Sequence, residues 1–127
     1  MSKPTESELA ILQVLWANGP TTVRQVNAAL NAASEKEIGY TTTLKLMQLM
    51  VDKSLLQRDT SQRTHVYTAA VEEQSTKRGL LNRFLTQTFQ GSAGALVLEA
   101  LGQHRASDAE LAEIKALIER METEEKQ

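Results

Sequence analysis

Thr41, Thr42, Lys45 and Gln48 bring two hydroxyls, an ammonium and an amide into one short polar stretch. Their chemistry is non-covalent recognition: hydroxyls and amides exchange hydrogen bonds with base edges, and an ammonium on a long stem seeks phosphate. At about 100° per residue, the segment GYTTTLKLMQLMVDKSLL at 39–56 places Leu44, Leu46, Met47, Met50, Val51 and Leu55 on one arc. Thr41, Thr42, Lys45, Gln48, Asp52 and Lys53 fall opposite, so one side reads as core and the other as wet. With Thr41 or Thr42 as N-cap, the first turn presents hydroxyls, free backbone N–H groups and the positive end of the helix dipole together, a set suited to a phosphate oxygen. Such a helix can lie in the major groove of DNA. An amphipathic helix that only packs and caps itself reads the same way in isolation, so its neighbours must decide.

Catalytic chemistry finds no support. The absence of cysteine excludes disulfides, thiolate metal sites and a thiol nucleophile. His65 and His104 lie far apart in sequence, without ligand partners in a metal-binding pattern. There is no phosphate loop and no glycine-rich dinucleotide turn, and the carboxylates of the tail ETEEKQ sit on a fraying helix rather than in a pocket. The expectation is a protein that is not an enzyme and needs no cofactor or metal. No apolar run approaches the ~20 residues of a membrane helix, and MSKPTESELA lacks a hydrophobic signal region, so a cytoplasmic protein without membrane insertion is expected.

The elements before the central helix support it. Thr5 and Glu8 fit a capping box, Leu9, Leu12, Leu15 and Trp16 follow at helical spacing, and Asn18-Gly19-Pro20 ends that helix. Trp16 reads as a core anchor, while Ser7, near the helix start, is either a phosphate contact or plain surface. Thr22 opens a second helix with Gln25 completing a weaker box, and Val23, Val26 and Leu30 form its apolar stripe to about Ala33. Arg24 and Gln25 stand on its solvent side, where a helix crossing the DNA backbone would meet phosphate. The polar segment SEKEI is a connection, and Gly39 turns the chain into the third helix, giving a helix-turn-helix.

After Leu56 the period changes. Residues 56–59, a turn at 60–62 and residues 63–69 (RTHVYTA) read as a two-stranded hairpin, the wing of a winged helix. Arg58, Gln62, Arg63 and His65 at its tip and edges would rest on the sugar-phosphate backbone.

From Val71 the chain is helical again. One helix at about 72–90 carries Leu81, Phe84, Leu85 and Phe89, and a short apolar one at about 95–101 carries Leu96, Val97 and Leu101. A last one, capped by Ser107 with Glu110, carries Leu111, Ile114, Leu117 and Ile118. These 57 residues hold too little apolar surface to close a core alone, so their helices call for a partner. The expected architecture is mostly α: a winged helix-turn-helix domain at 1–70 and a helical dimerisation domain at 71–127. Two copies would set two recognition helices about one DNA turn apart.

Net charge is −2, and residues 1–70 carry seven Lys/Arg against six Asp/Glu. That thin balance fits a modest DNA footprint and leaves open a winged helix that binds protein instead, as adaptor or antirepressor.

SELAILQVLWANGPTTVRQV, GYTTTL, VDKSLL and HVYTA, in this order and spacing, resemble the penicillinase repressor (BlaI/MecI/CopY) family of bacterial winged-helix regulators. The likeness runs from Thr5 to Ala70 in motif and continues over 71–127 in layout. It implies a homodimeric repressor on a dyad operator in double-stranded DNA. Thr41, Thr42 and Lys45 would face the groove, and Arg24, Arg58, Arg63 and His65 would address backbone. Lactam-responsive relatives answer to an integral-membrane sensor protease system that leads to cleavage at an Asn-Phe pair. No such dipeptide occurs here, the corresponding area reading Val97-Leu98-Glu99-Ala100-Leu101. Copper-responsive relatives use C-terminal cysteines, also missing. Release by a small ligand therefore stays beside proteolytic release. Two departures sit at the central helix: Leu49 amid the polar arc, where the family commonly has a basic residue, and Ser54, where it commonly has glycine. Leu49 would touch a thymine methyl or deoxyribose, or cover a neighbouring side chain.

Overall fold

The computed structural model describes residues 3–125, with elements α1 (Glu6–Asn18), α2 (Val23–Ala32), α3 (Tyr40–Asp52), β1 (Leu56–Asp59), β2 (Val66–Ala69), α4 (Glu73–Phe89), α5 (Ala93–Gln103) and α6 (Asp108–Glu125). Contacts divide the chain inside α4, between Leu80 and Leu81.

In the first unit, local chemistry starts the helices where the sequence says. Thr5 accepts from the Glu8 backbone N–H (3.2 Å) while the Glu8 carboxylate accepts from Thr5 N–H (2.9 Å), and Thr22 with Gln25 repeats the exchange at α2. Ile11, Leu12 and Leu15 from α1, Val23 and Val26 from α2, Met47 and Met50 from α3, Leu55 between α3 and β1, and Leu56 and Tyr67 from the wing close one core. Each such large side chain contributes about 1.5–3 kcal/mol of burial.

The wing is held from three sides. β1 and β2 pair antiparallel with Leu56 opposite Ala69 and Asp59 opposite Val66. Thr21, in the α1–α2 turn, exchanges both backbone hydrogen bonds with Tyr67 (3.0 and 2.9 Å), so β2 is pinned on its other edge as well. The Trp16 indole N–H donates to the Val71 carbonyl at 3.1 Å, tying α1 to the chain leaving the wing.

The second strand is shorter than the expected 63–69. The Asp59 carboxylate accepts from Ser61 N–H at 2.9 Å, a local turn that ends β1 and leaves residues 60–65 as loop. Arg63 and His65 therefore stand in that loop, not in the strand.

In the second unit, α5 begins at Ala93, capped by the Ser92 hydroxyl on Ala95 N–H (3.1 Å), which lengthens it beyond the expected 95–101. Gln90 and Gly91, both in the left-handed region (φ 49° and 82°), turn the chain out of α4. Ser107 and Glu110 cap α6 reciprocally (2.9 and 3.1 Å). None of α4, α5 and α6 has a buried residue among those described.

Candidate nucleic-acid interface

α3 is fixed by what it buries. Thr43, Met47 and Met50 are sealed from solvent, and Leu44, Leu46 and Val51 are half-buried beside them, so the helix cannot roll. Thr41, Thr42, Lys45, Gln48, Leu49, Asp52 and Lys53 are then all exposed.

Neither threonine caps this helix, contrary to expectation. Gly39 is the N-cap, in extended conformation and with no side-chain cap, and α3 begins at Tyr40. Thr41 and Thr42 therefore lie inside the first turn, whose N–H groups have no side-chain acceptor. The start moves forward because the incoming loop is clamped. Asn27 donates from Nδ2 to the Ile38 carbonyl and to Thr43 Oγ1, both at 2.9 Å. Asn31, one turn along α2, donates to the same carbonyl (3.0 Å) and accepts from Ile38 N–H (2.6 Å). Two amides on one face of α2 thus satisfy both backbone groups of Ile38 and fix the angle at which α3 leaves the turn. Asn27, Asn31 and Thr43 were missed as positioning residues by sequence reasoning. Two asparagines four apart on a helix, where they are poor formers, were the available signal.

At the other end, Lys53 Nζ reaches Glu8 Oε2 at 2.8 Å and joins the close of α3 to the start of α1. Burial alone would raise the Glu8 pKa, but hydrogen bonds from Lys53 and Thr5, with the ammonium's charge, outweigh it and hold the carboxyl below the ordinary value.

The expected contacts separate into groups. Arg24 is exposed on α2, its guanidinium 5.8 Å from the centre of the Tyr40 ring, which places it beside the first turn of α3. Ser7, exposed near the start of α1, belongs with the other end of α3, one residue from the Glu8 that holds Lys53. Arg58 is exposed on β1, with Gln62, Arg63 and His65 exposed in the wing loop. There the Asp59 carboxyl is held below its ordinary value by hydrogen bonds from Ser61 and, to a lesser degree, by the charge of His65. Gln25 spends its side chain on the α2 cap, which leaves Arg24 as the long donor on that turn. Among the described residues no three of His, Cys, Asp and Glu gather as a metal site, and no helix is long and apolar enough to cross a membrane.

Three helices with a two-stranded wing, and a third helix whose polar side is free, define a winged helix-turn-helix module of the kind that regulates transcription. A solved structure of a MarR family protein from Bacillus stearothermophilus has the same fold, with a TM-score of 0.51 and 17% identity over 99% of this chain and 78% of that one. The family profile described as penicillinase repressor matches residues 4–120. "Transcriptional regulator BlaI" of Mycobacterium tuberculosis, from strains CDC 1551 / Oshkosh and ATCC 25618 / H37Rv alike, is 30% identical over 116 residues, 86% of this chain and 83% of that protein. The chain belongs to the penicillinase repressor family, whose members are transcriptional regulators rather than enzymes.

Proposed function

We propose that the chain is a homodimeric repressor that sits on a dyad operator and places one α3 in each half-site. Residues 1–70 bind DNA, and residues 71–127 join the two copies. The observation that carries this is the division of α3 into a sealed side and a side exposing Thr41, Thr42, Lys45 and Gln48. On that face Thr41, Thr42 and Gln48 meet base edges, and Lys45 meets base or phosphate. Arg24, beside the same turn, takes the backbone on one side of the groove, and Arg58, Arg63 and His65 take it where the wing lies. Ser7 adds a hydroxyl toward the far end. Pairing through α4, α5 and α6 supplies the burial that those helices lack within one chain.

A protein-binding role for the same surface is favoured by one observation. Of the cations at 41–70, Lys53 is committed to Glu8, leaving Lys45, Arg58 and Arg63 against Asp52 and Asp59. Titration of the full chain against the DNA upstream of its own gene, at rising salt, separates the two. A DNA-binding dimer loses affinity steeply, each released phosphate contact contributing about 0.9 to the log–log slope. Lys45→Ala flattens that slope and Thr42→Ala weakens binding, with the fold unchanged in both. Binding that ignores salt and both substitutions would remove α3 from the groove and leave the adaptor reading.

A further inference from the structure

Leu49 is 47% exposed, yet it stands on the wet side of a helix whose other large apolar side chains, Tyr40 at its first position apart, are at least half-buried. It lies outside the core cluster, so packing within the first unit does not explain it. It follows Lys45 by one turn and Thr42 by two, on the same line of α3, with Gln48, Asp52 and Lys53 exposed around it. From Thr42 to Leu49 the axis rises about 10 Å, the length of roughly three base-pair steps. Resting on the reading of α3 as the groove-facing helix, we infer that Leu49 is a specificity residue that selects a thymine in each half-site through its C5-methyl group. The floor of the major groove offers a leucine one methyl group, that of thymine; the donors and acceptors beside it an isobutyl side chain would desolvate without return, and bare C–H edges such as cytosine C5–H give it far less apolar surface. Phosphates repel an apolar side chain from the rim. Deoxyribose could receive it, but without regard to sequence, and the two outcomes are separable in the DNA itself.

The test replaces thymines of the footprinted operator, one symmetric pair at a time, by deoxyuridine, which deletes the methyl and leaves sugar, phosphate and pairing intact. For the full chain, one thymine pair per operator is expected to respond with a loss of about fourfold per methyl, near fifteenfold for the pair. Leu49→Ala, folded because the side chain is exposed, binds the unmodified operator more weakly and is indifferent to deoxyuridine at that position. Leu49→Met retains the sensitivity. Wild-type indifference at every thymine, or equal sensitivity in Leu49→Ala, overturns the assignment while leaving the repressor reading in place. Absence of any salt-dependent operator binding overturns both.

Discussion

Glu8 is a carboxylate with 2% of its side chain exposed, made tolerable by two donors, the Thr5 backbone N–H and the Lys53 ammonium. The Thr5 half of this arrangement is written in the local pattern T-x-x-E; the Lys53 half is not, because that residue is 45 positions away and only the packing of α1 against α3 brings it in. Its folded-state pKa lies below the unfolded value, so the stabilisation it brings is present above about pH 4.5 and is lost as pH falls through the folded value. Stability measured by urea unfolding is therefore expected to decline below pH 4.5, and Glu8→Gln to remove part of that decline while lowering stability at pH 7. A wild-type curve that is flat there, or one that Glu8→Gln leaves unchanged, would contradict the pairing. Ser54 is a second residue whose role lies in the backbone rather than in the local sequence pattern. It follows α3 with φ at 65°, a left-handed conformation that glycine adopts freely and a serine only at a cost. The resemblance placed glycine at this position, and the backbone gives the reason.

α3 is positioned more by the element before it than by its own ends. The sequence pattern identified its two faces, since leucines and methionines at helical spacing bury themselves whichever residue starts the helix. It did not identify the start, because the Asn27–Asn31 clamp on Ile38 is a non-local set of hydrogen bonds that overrides the capping preference of Thr41 and Thr42. The wing shows the same limit. Its existence was legible from the change of period after Leu56, but the turn at Asp59 and the Thr21–Tyr67 bridge, which decide where β2 begins and what pins it, depend on side-chain and backbone partners outside the strand pattern. Asn27→Ala removes one of the two donors to the Ile38 carbonyl and the donor to the buried Thr43 hydroxyl, and leaving that hydroxyl without its partner is expected to cost about 1–3 kcal/mol. Because α3 then leaves the turn less rigidly, operator affinity should fall further than for an exposed α2 substitution such as Ala28→Ser. Asn27→Ala with full stability and full affinity would show that the clamp positions nothing.

At the scale of the whole molecule, the two units differ in how they are stabilised. The first has a closed core; α4 to α6 have no buried residue, and Leu98 on α5 is 77% exposed. Helices of eleven to eighteen residues are marginal in water without a packed face, so the second unit needs a partner surface to hold its shape. If that partner is a second copy, folding and association are linked, and the midpoint of thermal unfolding must rise with protein concentration. Light scattering at micromolar concentration is then expected to give twice 14.1 kDa. Leu98→Glu places a charge on the exposed apolar side of α5 and should return the mass to that of one chain. The single tryptophan, Trp16, reports on the first unit alone, so its emission should stay native in this variant and separate lost pairing from lost folding. Operator affinity should meanwhile fall by about 10²–10⁴, since two half-sites are no longer engaged through one linked pair. A wild-type chain that stays at 14.1 kDa with a concentration-independent midpoint would leave α4 to α6 to be covered by something other than a second copy.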